Sequence, residues 1–162
     1  METDLEKIKK LASEKEDENY KFRRYLKGCD SDRIDDIVHS LYDKISSEID
    51  CSQCRNCCKV SNPVFKEYEL DRAAEHLNLT IEELKEKYDI EKVEIYNMIR
   101  KDICSFLEDN KCILENNKPE PCKNFPHIQK EGFVFRLLDV IQNTEICPIV
   151  YNVYEELKKR EW

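Results

Sequence analysis

Apolar residues recur at helical spacing at both ends of the chain and give way to alternation and irregularity in the middle. In residues 3–27, Leu5, Ile8, Leu11 and Ala12, then Phe22, Tyr25 and Leu26, make one stripe on a Lys- and Glu-rich background, interrupted by the polar run from Ser13 to Asn19. Gly28 suits the left-handed residue that ends a helix, and Asp30 or Ser31 can cap the next one. Residues 31–49 have a cleaner stripe of Ile34, Ile37, Val38, Leu41, Ile45 and Ile49. The spacing predicts a helical hairpin joined around Cys29. Its stripes either pack on the rest of the chain or offer a surface to a protein partner.

The cysteine-dense stretch 51–62 reads as loop or knuckle, and Asn62-Pro63 marks a turn. A helix is predicted over 64–77, with Tyr68, Leu70, Ala73, Ala74 and Leu77 available for burial. Thr80-Ile-Glu-Glu83 is a capping box and starts a short helix to about residue 88. Val93 and Ile95 begin an alternating segment read as a strand. Residues 103–107 and 111–114 flank Glu108-Asp109-Asn110, a reverse-turn signal. Residues 132–138 are rich in Phe, Val and Leu and read as a strand, and 150–162 as an amphipathic helix carrying Val153, Tyr154 and Leu157. The expected fold class is α+β: helical, with a small irregular β-hairpin region organised around a cysteine site. The expected organisation is a helical hairpin over 1–50, a cysteine-bearing domain over 51–149, and a C-terminal helix over 150–162 packing on that domain.

Composition narrows the chemistry. The chain has 162 residues, 38% of them charged, and a formal net charge of -8, which runs against a basic nucleic-acid-binding face. Its two glycines, Gly28 and Gly132, exclude a dinucleotide fingerprint, a P-loop and a nucleophile elbow, each of which needs paired glycines. No run approaches the roughly 18 apolar residues of a spanning helix, and the start, Met1-Glu2-Thr3-Asp4, lacks the basic-then-apolar form of a secretory signal. A cytoplasmic location is expected, with neither membrane nor nucleic acid as a partner. There thiols stay reduced, so the nine cysteines point to metal ligation rather than to disulfides.

The cysteines fall into spaced groups. Cys51-Ser-Gln-Cys54-Arg-Asn-Cys57-Cys58 repeats the C-x2-C turn, which folds two sulfurs towards one point and serves both zinc knuckles and iron–sulfur loops. Cys147-Pro148 has the form of the cysteine that closes a ferredoxin run, so Cys51, Cys54, Cys57 and Cys147 make one possible set of four. Adjacent side chains diverge, so Cys58 belongs to a neighbouring centre or to a larger cluster. Cys104 and Cys112 lie on opposite arms of the expected hairpin, and Pro119 and Pro121 stiffen the loop that delivers Cys122. With Cys58 they make a second possible set; spacing alone leaves the partition open. Cys29 lies outside every motif and is read as an inert thiol.

Cys51 to Cys58, Cys104-Ser-Phe-Leu with Asn110-Lys-Cys112-Ile, Lys118-Pro-Glu-Pro-Cys122-Lys-Asn-Phe-Pro126 and Cys147-Pro148 together resemble the CxxCxxCC cysteine-cluster family, described as zinc- or iron-chelating. The resemblance spans residues 51–148 and implies metal binding by the eight cysteines. A branch of the wider group resembles flagellin lysine methylases that carry an iron–sulfur cluster, so the likeness also admits a protein-modifying enzyme. The chain departs from the family at several points. Arg55-Asn56 stands where members often have glycine, with Asn56 able to take the left-handed conformation. Lys118-Pro119 and Lys123 stand where arginines are common, which removes the bidentate guanidinium fork. Ile149 replaces the glycine usual after Cys-Pro.

The remaining candidates have structural readings. His127 is a backup ligand five residues beyond Cys122, His39 a helix residue, and His76 a favourable charge near a helix end. Tyr96, Phe106, Phe125, Phe133 and Phe135 are read as core. Arg55, Lys59, Lys111, Lys118, Lys123 and Lys130 are placed to offset negative charge on a thiolate centre, although Glu108, Asp109, Glu115 and Glu120 are interleaved with them. The sequence therefore predicts a metal-binding protein holding an iron–sulfur cluster ([4Fe–4S] favoured by tandem x2 spacing) or zinc, with electron transfer or an accessory role. The alternatives are the modifying enzyme and a structural zinc module for protein interaction.

Overall fold

The structure, a computed structural model, describes residues 1–160. In chain order it contains α1 (Leu5–Glu14), α2 (Glu16–Leu26), α3 (Ser31–Ser46), α4 (Cys51–Cys54), α5 (Asn56–Val60), β1 (Val64–Phe65), α6 (Glu67–Leu77) and α7 (Ile81–Tyr88). There follow β2 (Ile90–Val93), β3 (Tyr96–Ile99), β4 (Leu107–Glu108), β5 (Lys111–Cys112), α8 (Glu120–Lys123), α9 (Leu137–Thr144) and α10 (Pro148–Lys158). Predominant helix with small antiparallel sheets makes the fold α+β. The described chain divides into two compact units: residues 1–50 together with the chain from 126 onward, and residues 51–125.

The first unit is helical. Asp4 and Asp30 cap α1 and α3 by accepting the amides of Lys7 and Arg33, at 3.0 and 2.8 Å. The single helix expected over 3–27 breaks at Lys15, inside the polar run, into α1 and α2. The stripe of α3 is consumed internally: Ile34, Val38, Leu41 and Ile45 are buried, and α3 packs on α10. Ile8 and Ala12 of α1 close on Tyr151. Helix α10 buries every residue from Pro148 to Tyr154, plus Leu157. Its packing partners are α3, α9 and α1, so it belongs with the N-terminal helices; residues 161 and 162 of the expected C-terminal helix lie outside the described residues. The observed boundary at 125, rather than 149, places residues 126–149 in the helical unit.

The strand expected over 132–138 is instead a 3-10 turn, Phe133–Arg136, running into α9. Gly132 takes φ 74, and the buried carboxylate of Asp35 accepts the amides of Gly132 and Phe133 at 2.6 and 2.9 Å. That anion at the start of a helical segment satisfies donors a strand would have paired laterally. Phe133, Leu137, Val140 and Ile141 share the buried face, while Phe135, expected in the core, is 84% exposed.

In the second unit, the helix expected over 64–77 loses its first residues to the sheet. Val64 and Phe65 pair with Met98 and Asn97, and α6 starts at Glu67. Strands β2 and β3 form a hairpin with Glu94 at φ 55 in its turn, giving a sheet of order β1-β3-β2. The Thr80–Glu83 capping box is present, with both reciprocal bonds at 3.1 and 2.8 Å. Phe65, Leu70, Ala73, Leu84, Tyr88, Ile99, Phe106 and Leu114 form the core, with Phe106 stacked on Tyr88 at 4.3 Å. Of the other aromatics expected in the core, Tyr96 is exposed.

Candidate metal centre

The unit spanning 51–125 carries seven of the eight candidate ligands on three segments. The first is a knuckle of two short helical turns, α4 and α5, separated by Arg55 at φ 51. The left-handed residue is Arg55, not the expected Asn56, which is already the first residue of α5. The strained backbone is held by an Arg55 amide bond to the Cys51 carbonyl (3.2 Å), and the Arg55 Nε donates to the Ser52 carbonyl (2.9 Å). Cys51 is exposed; Cys54, Cys57 and Cys58 are half-buried.

The second segment is the hairpin β4–β5. Asp109 and Asn110 both have positive φ, 46° and 59°, between the paired residues Glu108 and Lys111. Two left-handed central residues define the tight turn whose twist matches the strands. Leu107 faces Cys112 in the register, and the Cys104 carbonyl accepts the Leu107 amide at 3.0 Å. The hairpin is tied to the knuckle at two points: the Cys104 amide donates to the Cys58 carbonyl (3.0 Å), and Asn110 Nδ2 donates to the Gln53 carbonyl (3.2 Å). Cys104 is buried, and with Cys58 and Cys112 it adjoins the hydrophobic core.

The third segment is α8 and its lead-in. Pro119 is extended, and its carbonyl accepts the Cys122 amide at 3.0 Å, starting the helical turn that carries the thiol. Two residues of α6 hold this segment. Arg72 Nη2 donates to the Lys118 carbonyl at 3.2 Å, and Glu69 Oε1 accepts the Glu120 amide at 2.8 Å. Neither residue was a sequence candidate. Glu69 caps its own helix from a Lys66 start, which lacks the Ser or Thr of the usual capping-box signature.

Cys58, Cys104, Cys112 and Cys122, carried by these three segments, are near enough for their charges to act on one another. Cys104 is pushed up to about 11, by burial first, partly offset by the Phe106 amide, and further by the negative charge of Cys58 and Cys112. Cys122 is pushed up to about 12: loss of solvent around its sulfur is the largest effect, followed by the charges of Cys104, Cys58 and Cys112. By accessible surface Cys122 is nonetheless an exposed residue. Cys58 moves the other way, down to about 6. A hydrogen bond with the Cys57 thiol, aided by Arg55, Lys118 and Lys59, outweighs its burial. Three of the cations singled out in the sequence thus act on one sulfur. Among the described residues, no three His, Cys, Asp or Glu side chains stand converged as a ligand set, so the four sulfurs are neighbours rather than a closed tetrahedron.

The donor set fits a soft metal centre. It supplies four sulfurs, one of them lowered to about 6 with cations beside it, and the burial and neighbouring charge that hold Cys104 and Cys122 protonated are what a bound cation would offset.

The other candidates are placed differently. Cys147 is in the helical unit, buried at the cap of α10, where its amide donates to the Asn143 carbonyl (2.9 Å) and its carbonyl accepts the Tyr151 amide (2.9 Å). Pro148 occupies the first helical position, so the Cys-Pro pair works as a helix start. His127, also in that unit, sits at φ 65 with its carbonyl accepting from Lys130 and Arg136. His76 Nε2 lies 3.0 Å from the Ile113 carbonyl, tying α6 to the residue after β5. His39 Nε2 is buried and has no hydrogen-bond partner. Cys29 Sγ donates weakly to the Tyr25 carbonyl at 3.5 Å.

An α+β fold presenting clustered soft donors on a knuckle, a hairpin and a loop defines a cysteine-rich metal-binding protein. The model of the CxxCxxCC family, "Putative zinc- or iron-chelating domain", matches residues 50–148. The chain belongs to that family. No curated protein and no solved structure matches it.

Proposed function

We propose that this protein binds a metal centre through Cys58, Cys104, Cys112 and Cys122, with Cys51, Cys54 and Cys57 of the same knuckle available to a larger or second centre. The observation that carries the reading is that three separate segments bring four thiols close enough to alter one another's ionisation. An iron–sulfur cluster is the preferred occupant, supported by the tandem x2 spacing and an all-sulfur set; zinc is the alternative. Bound iron and sulfide would supply one-electron transfer, and bound zinc a cross-link.

The chain's own residues prepare the site in either case. Cys58 offers a thiolate without external base, the core beneath Cys104 excludes water on one side, and Arg55, Lys59 and Lys118 offset the negative charge that four thiolates bring. The test is metal and acid-labile sulfide analysis of anaerobically purified protein, alongside Cys104→Ser and Cys29→Ser. Brown protein containing iron and sulfide, lost in Cys104→Ser and kept in Cys29→Ser, is expected. Colourless protein with stoichiometric zinc replaces the cluster by the alternative. Wild-type protein that takes up neither metal after reconstitution overturns the proposal.

A further inference from the structure

Cys122 is carried by the third segment. Four residues of helix follow Pro119, and Pro121 lies within that helix. The knuckle and the hairpin brace each other through one backbone bond, Cys104 to Cys58, and the Asn110 side chain on the Gln53 carbonyl. The Cys122 segment instead hangs on the side chains of α6. Glu69 is 1% exposed, and its two oxygens divide between two amides: Oε2 accepts Lys66 N–H at 2.8 Å, and Oε1 accepts Glu120 N–H, also at 2.8 Å. The first bond starts α6; the second reaches across 51 positions of sequence to the first residue of α8. Arg72, one turn further along α6, takes the Lys118 carbonyl. Both ends of the 118–120 stretch are therefore fixed by one helix that carries no cysteine.

A capping role alone would use the Lys66 bond and leave the other oxygen to solvent. Burying a carboxylate is costly unless its lone pairs are taken up, and here the second oxygen is taken up by the cysteine segment. We infer that Glu69 is a positioning residue for the metal centre, its buried carboxylate locking the 118–122 segment to α6 so that Cys122 is presented beside Cys58, Cys104 and Cys112. The inference rests on the metal-centre reading for its purpose, and on the two amide bonds for its geometry. Glutamine has the shape of glutamate but only one acceptor oxygen, so Glu69→Gln leaves one of the two amides facing an NH2 group.

Two measurements test it on the full chain. The first needs no metal. Amide hydrogen exchange of metal-free Glu69→Gln should speed up at Glu120 and Cys122, with α7 unchanged; unaltered exchange at both amides overturns the inference. The second titrates metal-free wild type, Glu69→Gln, Cys122→Ser and the double variant with cobalt(II), following the thiolate-to-metal charge-transfer band. Loss of an outer partner should weaken binding by about 10–100-fold. In the Cys122→Ser background the same substitution should cost nothing further. Equal losses in both backgrounds mark a general structural effect and overturn the inference. If Cys122→Ser binds cobalt(II) as wild type does, Cys122 is no ligand and it is the metal-centre reading that fails. Should Glu69→Gln not fold, Arg72→Met loosens the same segment from its Lys118 end and is held to the same two criteria.

Discussion

Glu155 on α10 lies between Lys15 and Lys158, with an ion pair to each, the latter at 2.7 Å. Burial pushes its carboxyl up, but hydrogen bonds from the two lysines outweigh that and hold it below the ordinary 4.5. A carboxylate depressed in the folded state stabilises it fully above the unfolded value, and that contribution disappears as pH falls through the folded value. Glu155→Gln should therefore be less stable than wild type near neutrality and lose the difference on acidification below about pH 4. Because the carboxylate (18% exposed) and its Lys15 partner (32%) both keep contact with solvent, the difference is under about 1 kcal/mol. Urea midpoints of both proteins across the acid range measure it; a gap that widens on acidification contradicts the assignment. At this scale the sequence was informative where chemistry is carried by one residue and its neighbours. Arg55 and Lys59 were legible as cations beside the doublet, and both lower the Cys58 thiol; that the Cys57 thiol hydrogen-bonds Cys58 instead of diverging from it was not legible. Of the two partners of Glu155, Lys158 lies one turn along the same helix, whereas Lys15 was invisible because it is 140 residues away in sequence.

Elements are decided by short-range donors and acceptors, and two substitutions expose how. Asp35 of α3 closes the start of the 3-10 turn before α9 by taking the amides of Gly132 and Phe133. Asp35→Ala strands one buried and one part-buried amide and should cost about 1–3 kcal/mol by chemical denaturation. A loss under about 0.5 kcal/mol, the size of a surface substitution, would mean the turn holds itself. In the hairpin β4–β5, Asp109 at φ 46 occupies a conformation closed to β-branched residues. Asp109→Val should lower stability by about 1–2 kcal/mol, whereas Asp109→Gly should retain it, as read by thermal melts of the metal-free protein. Turn and capping-box signals were legible because each lies within four residues. The 132–138 segment is helical despite its richness in Phe, Val and Leu, because the anion that takes its first amides comes from Asp35, 97 residues before Gly132.

At the scale of the whole molecule, a metal bound at the proposed centre would couple the cysteine segments to folding. Metal binding to the folded chain alone stabilises it by RT ln(1 + [L]/Kd), about 2.7 kcal/mol at a hundredfold excess over Kd. The melting temperature of reconstituted protein should therefore rise with free metal and fall on addition of a chelator, and Cys104→Ser should abolish the dependence. The two units allow the response to be located: probes in residues 51–125 should carry it, which peptide-resolved hydrogen exchange would show. Protection gained only in the helical unit would argue against a centre on the knuckle, hairpin and loop.

The sequence by itself determined the family, the α+β class, the Asp30 cap, the Thr80–Glu83 capping box and the turn at Asp109-Asn110. All of these depend on residue type and on spacing along the backbone. It did not determine the end of α2, where Gly28 does not take the expected left-handed conformation. Tertiary structure alone decided which sulfurs are neighbours, which polypeptide stretches share a unit, and that a buried glutamate on a cysteine-free helix grips the Cys122 loop. Those outcomes depend on how helices and sheets bury their apolar faces, and packing brings together groups that no local rule relates.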